Sequence, residues 1–282
     1  MVSLTETERS GTLFERSFLV ALARAFAGAI IFGLPLLMTM EMWALGFYMD
    51  PLRLALFLAL MFPLLVVLAY YAGFEESVSW KHLVLSACVA YAVGFVAAAA
   101  GLALLGTLRP GMSIEEIVGK ISLQAIPASI GAMLARSQLG ERDEQQEEER
   151  RRDTYWGELF LATVGALFLA FNIAPTEEVV LIATMMTGWH ALAVVGVSLA
   201  LMHAFVYTVE FRGQTSLHPE IGAWDEFLRL TVVAYVLALL VCLYVLWSFG
   251  RGDGLAPGGL LMQTVVLGFP AALGAAAARL IL

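Results

Sequence analysis

The sequence predicts an all-α polytopic membrane protein with eight transmembrane helices, and three observations carry that prediction. Of its 282 residues, 60% are hydrophobic and only 14% are charged. A soluble domain has roughly 45–50% apolar and about 25% charged residues, so too little polar surface exists here to cover a water-soluble fold. Eight apolar runs each approach the ~20 residues that a spanning helix needs. Finally, the cations concentrate on alternate loops, as an even span count requires.

Residues 1–17 form a polar N-terminal segment carrying Glu6, Glu8, Arg9, Glu15 and Arg16. The apolar run that follows is too long for a signal h-region and lacks a small-residue cleavage pattern, so it is expected to stay as a span. The first four spans read Phe18–Trp43, Pro51–Gly73, Leu83–Leu108 and Ile114–Leu134, the last with Glu115, Glu116 and Lys120 near its start. A charged linker at 140–154 (GERDEQQEEERRRD and the following threonine) comes next. Its Glu147–Arg151 and Glu148–Arg152 pairs have the i,i+4 spacing of a solvated helix. The last four spans read Tyr155–Ile173, Gly188–Val209, Phe227–Phe249 and Leu260–Leu282. None of these runs alternates with period two, which excludes a closed barrel.

Orientation follows from the 16 Lys and Arg residues. Arg9, Arg16, Arg24, Lys81, Arg136, Arg142, Arg150, Arg151, Arg152, Arg212, Arg229 and Arg279 fall on the side of the termini. Arg53, Arg109, Lys120 and Arg251 fall on the other. That bias places both termini in the cytoplasm.

The chain also repeats itself. PASIGAMLARSQL at 127–139 returns as PAALGAAAARLIL at 270–282, an offset of 143. At an offset of 144, Trp80, Val89–Ala90–Tyr91 and Gly106 meet Trp224, Val233–Ala234–Tyr235 and Gly250. At 137, Gly28–Ala29, Thr39, Glu41, Tyr70 and Phe74 meet Gly165–Ala166, Thr176, Glu178, Tyr207 and Phe211. The chain therefore reads as two four-span repeats, 18–139 and 155–282. Because each repeat holds an even number of spans, the two are expected to run parallel about a pseudo-two-fold axis along the membrane normal.

On the two PAxxGAxxAR blocks and the TxE elements, Thr39–Glu41 and Thr176–Glu178, the chain resembles an uncharacterised family of bacterial integral membrane proteins with a duplicated four-span unit. The resemblance implies the fold and no activity.

A polar residue present in both repeats is the strongest candidate for chemistry, and Glu41 and Glu178 lead. Pro35 should kink or stop the first span, and Asn172–Pro175 the fifth, because proline lacks a donor and clashes with the preceding turn. After the second break a new helix should start, with Pro175 and the acids in its first turn. Two readings follow. Broken helices and symmetric carboxylates can line a path, where Glu41, Glu178, Thr39, Thr176 and the freed carbonyls offer an all-oxygen site for a hard cation or a proton. Alternatively, Glu177 and Glu178 only complement the positive end of a helix dipole, and Glu41 faces outer water. Glu177 aligns with Met40, so the repeat favours Glu178.

The remaining residues point elsewhere. Tyr70 and Tyr207 suit interfacial anchoring, and Arg136 and Arg279 suit snorkelling to the inner surface. His203, without a repeat partner, suits a helix-to-helix hydrogen bond. Gly131, Ala132 and Ala135, with Gly274, Ala275 and Ala278, form small-residue faces expected to pack between halves or between protomers. Cys88 and Cys242 lie in apolar runs, form no metal or disulfide spacing, and are expected as small buried thiols packing against helices.

A net charge of −8 excludes a basic nucleic-acid groove. No HExxH, GxSxG or P-loop motif appears, so no catalytic residue, metal or cofactor is expected. The leading expectation is a transport protein, an ion channel or secondary transporter, in the bacterial cytoplasmic membrane. Its expected partners are lipid, a cation or proton, and further copies of itself in a homo-oligomer. The alternative is a non-catalytic membrane subunit or regulator of a larger membrane complex.

Overall fold

The computed structural model describes residues 3–71, 79–137, 154–210, 224 and 227–281. Every regular element among them is helical: α1 (Ser3–Leu37), α2 (Met40–Tyr48), α3 (Pro51–Tyr71), α4 (Trp80–Leu104), α5 (Ile114–Ser137), α6 (Tyr155–Ile173), α7 (Glu177–Met185), α8 (Gly188–Glu210), a π-helical turn (Phe227–Val232), α9 (Val233–Ser248) and α10 (Pro257–Ile281). Eight stretches are long and apolar enough to cross a bilayer: Leu19–Leu37, Pro51–Tyr71, Trp80–Leu104, Ile114–Ala135, Tyr155–Ile173, Gly188–Phe205, Phe227–Ser248 and Pro257–Ala278. Large apolar side chains within them are exposed, Ile31 at 67%, Val96 at 61% and Leu261 at 63%. In water such a surface would drive aggregation; here it meets lipid. The charged 140–153 stretch and most of the loop after α8 lie outside the described residues.

The chain divides into two compact units, residues 1–47 with 55–148, and residues 48–54 with 149–282. In the first unit α5 is the core element. Every position from Ser122 to Leu134 is buried, with α1 and α4 packed against it. The contact with α1 is close because glycines meet. A Cβ built on Gly28 would run into the carbonyl of Gly131 and the Cβ of Ala135, and one on Gly131 would strike the carbonyl of Gly28.

In the second unit α10 is the core element, packed by α6, α8 and α9. Its close contact has the same composition. A Cβ on Gly165 would run into the carbonyl of Gly274, and one on Gly274 into that of Gly165. The small-residue faces therefore pack on the first span of their own unit, which corrects the expectation of contacts between halves or protomers. Helical period identifies a face, but it does not name the helix that covers it.

A second correspondence ends the third span of each unit. The N–H of Gly106 reaches the carbonyl of Ala103 (3.1 Å) and that of Thr107 reaches Leu102 (3.0 Å), with Gly106 at φ 67°. In the other unit Gly250 bonds Trp247 (3.1 Å) and Arg251 bonds Leu246 (2.9 Å), with Gly250 at φ 71°. Both are Schellman stops, in which a left-handed residue after the helix aims its amides back at the last carbonyls. Glycine suits the place because a Cβ would be strained at that φ.

Candidate functional site: two broken spans

In the first unit the chain breaks between α1 and α2, at Met38–Thr39. Pro35 does not stop the helix; α1 runs on to Leu37. The first span is thus shorter than the expected Phe18–Trp43, and Trp43 belongs to a separate helix. A helix that ends among apolar neighbours leaves four carbonyls in need of donors. Each finds one here. Leu34 accepts from the Met38 amide (3.1 Å), and Pro35 from the Thr39 hydroxyl (2.8 Å). Leu36 accepts from the Gln124 amide nitrogen of α5 (3.0 Å) and Leu37 from the Trp43 indole (3.0 Å).

The second unit breaks between α6 and α7, at residues 174–176. Ala170 accepts from the Ala174 amide (2.8 Å), and Ile173 from both the amide (3.0 Å) and the hydroxyl (2.9 Å) of Thr176. Thr176, with extended backbone (φ −78°, ψ 150°), is the N-cap of α7. Pro175 thus precedes the cap instead of occupying the first turn of the helix.

Both threonine hydroxyls reach carbonyls at the helix ends. Thr39 and Thr176 brace the two breaks, which leaves the carboxylates as the remaining side-chain oxygens of the expected site. Glu41 stands in the first turn of α2 and is half-buried. Glu178 stands in the first turn of α7 and is exposed. Its own backbone N–H, and then the Thr176 side chain, hold its carboxyl below the ordinary glutamate range. A confined, desolvated acid would shift the other way. The neighbour Glu177 is the acid with a strong partner: Arg251 Nη1 donates to its Oε1 at 2.7 Å, while Arg251 Nη2 reaches the carbonyl of Pro175.

Other expected residues have local partners. His203 Nδ1 lies 3.2 Å from Thr231 Oγ1 on the π-helical turn, the helix-to-helix bond expected of it, and its ring meets Phe227 edge-on. His190 Nδ1 lies 2.8 Å from Thr187 Oγ1 at the start of α8. Tyr70 is exposed and packs edge-on against Tyr71. Cys242 is buried, whereas Cys88 is exposed and not in the core. The side chains of Arg136, Tyr207 and Arg279 lie outside the described residues, as does His218. Among the described residues, no group of three or more His, Cys, Asp or Glu could hold a metal.

Three contributors escaped sequence reasoning: Gln124, Trp43 and Arg251. Gln124 belongs to a polar row on α5 with Glu116 and Lys120 at four-residue spacing, which is a readable signal inside a span. Lys120 is buried and donates to Glu116 Oε1 at 2.6 Å, and Gln124 is 1% exposed with no hydrogen-bond partner for its Oε1. Trp43 and Arg251 carried no comparable signal, since their partners are set by the chain reversal at each break.

Compared with known families, residues 21–282 match the model described as "Putative integral membrane protein (DUF2391)". No curated protein and no solved structure matches the chain.

Proposed function

Since the chain belongs to this family of integral membrane proteins, DUF2391, over residues 21–282, we propose that it is a transport protein of the bacterial cytoplasmic membrane. It acts as an ion channel or secondary transporter for a cation or proton, without catalysis. It is built as a tandem duplication of a four-span unit with cytoplasmic termini. The observation that carries the proposal is the broken first span of each unit, at Met38–Thr39 and at 174–176, each followed by a short helix with a glutamate in its first turn. Interrupted helices inside a bilayer are tolerated where they face protein or a water-filled cavity, and transporters place ion sites at such interruptions. In this reading Glu41 and Glu178 carry the ion, and Thr39 and Thr176 hold the backbone that presents them. Buried Lys120, paired with Glu116, and buried Gln124 support it, since polar groups in a span are expensive to keep.

The test is reconstitution. The purified chain in sealed liposomes should pass protons or a monovalent cation down an imposed gradient. The subunit reading predicts instead a silent chain that co-elutes from native membranes with a stoichiometric partner.

A further inference from the structure

We infer that Arg251 is a positioning residue that latches the break between α6 and α7, and that the break between α1 and α2 has no equivalent among the described residues. The Schellman turn at Gly250 fixes where Arg251 leaves the loop after α9, and its side chain is only 13% exposed. One guanidinium then touches both flanks of the cap residue Thr176: the carbonyl of Pro175 before it and the carboxylate of Glu177 after it. A planar fork can hold two acceptors in fixed directions, whereas the ammonium of a lysine acts as a point charge.

The loop that delivers Arg251 is itself anchored. Two residues on, Asp253 accepts from both terminal nitrogens of Arg53, at 2.9 and 3.0 Å. Arg53 also donates to the carbonyl of Trp247 at 2.8 Å and stacks 5.1 Å from the centroid of its ring. Arg251 is thus held at its root and at its tip.

At the two corresponding positions of the first unit, both ends of the latch are replaced. At an offset of 144 the place of Arg251 is taken by Thr107, and at 137 the place of Glu177 is taken by Met40. The hydroxyl of Thr107 turns back onto its own helix, to Leu102, at 2.8 Å. The α1–α2 break rests on Gln124 and Trp43 instead. The two breaks are therefore held by different means and can open independently. The relevance of this to ion movement rests on the transport reading above; the positioning does not.

Cysteine reporters test it in the full chain, reconstituted in nanodiscs so that both faces are reachable, with Cys88 and Cys242 replaced by alanine. Maleimide modification is timed at Thr176→Cys and, separately, at Thr39→Cys. Arg251→Gln should speed modification at 176 by about tenfold or more, as local opening exposes the turn, and leave position 39 unchanged. Arg251→Lys should give an intermediate rate, because it keeps the charge and loses the fork. Glu177→Gln should raise the rate at 176 less than Arg251→Gln, because the carbonyl contact survives; it also carries the test if Arg251→Gln fails to fold. A rate at 176 that ignores both Arg251→Gln and Glu177→Gln overturns the latch, as does an equal rise at position 39. Absent flux with the labelling pattern intact would sink the transport reading alone.

Discussion

The side-chain nitrogen of Gln124 donates to the main-chain carbonyl of Leu36 at 3.0 Å, joining α5 to the end of a helix 88 residues earlier. The same carbonyl takes the Thr39 amide, so this end of α1 is satisfied without water. In the second half the place of Gln124 is Leu267, at an offset of 143. Gln124→Leu is therefore a volume-conserving exchange with a residue the fold already uses there. It should lower stability by about 0.5–1.5 kcal/mol, the usual net loss for one hydrogen bond, toward the lower end because the acceptor keeps a second donor and an unpartnered Oε1 is removed with the side chain. Thermal unfolding in detergent reads the loss; an unchanged midpoint would mean the bond contributes nothing to closing the helix.

Packing at the paired glycines leads to a steeper prediction. Gly131→Leu and Gly274→Leu each drive a side chain into the backbone of the facing helix, where even a Cβ has no room. Overpacking of this kind commonly costs about 1–3 kcal/mol, and backbone that cannot yield pushes toward the upper end. Both variants should melt earlier or fail to accumulate. Gly196→Leu, where a Cβ meets nothing within 4 Å, should be tolerated in the same helical context. Equal behaviour of all three would remove the close approach.

Glu178 sets a pH dependence of known sign. Its carboxyl sits below the ordinary range because its own backbone N–H and the Thr176 side chain favour the charged form. A group with a lowered folded pKa contributes stability that is present above its unfolded pKa and lost as pH falls through the folded one. The unmodified chain should therefore exceed Glu178→Gln in melting midpoint at neutral pH, and the two should converge on acidification below the ordinary carboxylate range. A constant difference across that range would contradict the assignment. Full exposure keeps the effect small.

Sidedness gives a prediction independent of function. A cysteine at Gln145 should be labelled only from the cytoplasm, and one at Asp50 or Gly254 only from outside. Labelling of Gln145 and Gly254 from the same face would break the eight-span arrangement with cytoplasmic termini.

The spans were legible because apolar length is a local property of the chain. Tyr155–Ile173 agrees at both ends, and Ile114 starts the fourth span in sequence and structure alike. The end of the first span was misplaced because the apolar Met38, Met40, Met42 and Trp43 carry on past Thr39 and Glu41, while the break itself is made where helix-end carbonyls accept from Thr39, Gln124 and Trp43. The fifth span announced its end, since Asn172, Pro175 and Glu177 interrupt the apolar run. The candidate acids were legible as a repeated TxE. Their ranking was not, because the partner of Glu177 lies 74 residues away at a position the repeat does not share. Repetition selects what two halves have in common and passes over what only one of them has.

On the transport reading proposed above, the glutamates beside the two breaks carry the ion. The direct measurement is flux in sealed liposomes, comparing the unmodified chain with Glu41→Gln, Glu178→Gln and Glu177→Gln, all verified as folded by their elution and melting. Proton or monovalent-cation flux above empty liposomes is expected, lost in Glu41→Gln and Glu178→Gln and largely retained in Glu177→Gln. Flux indistinguishable from empty liposomes, or flux that survives both Glu41→Gln and Glu178→Gln, would contradict it.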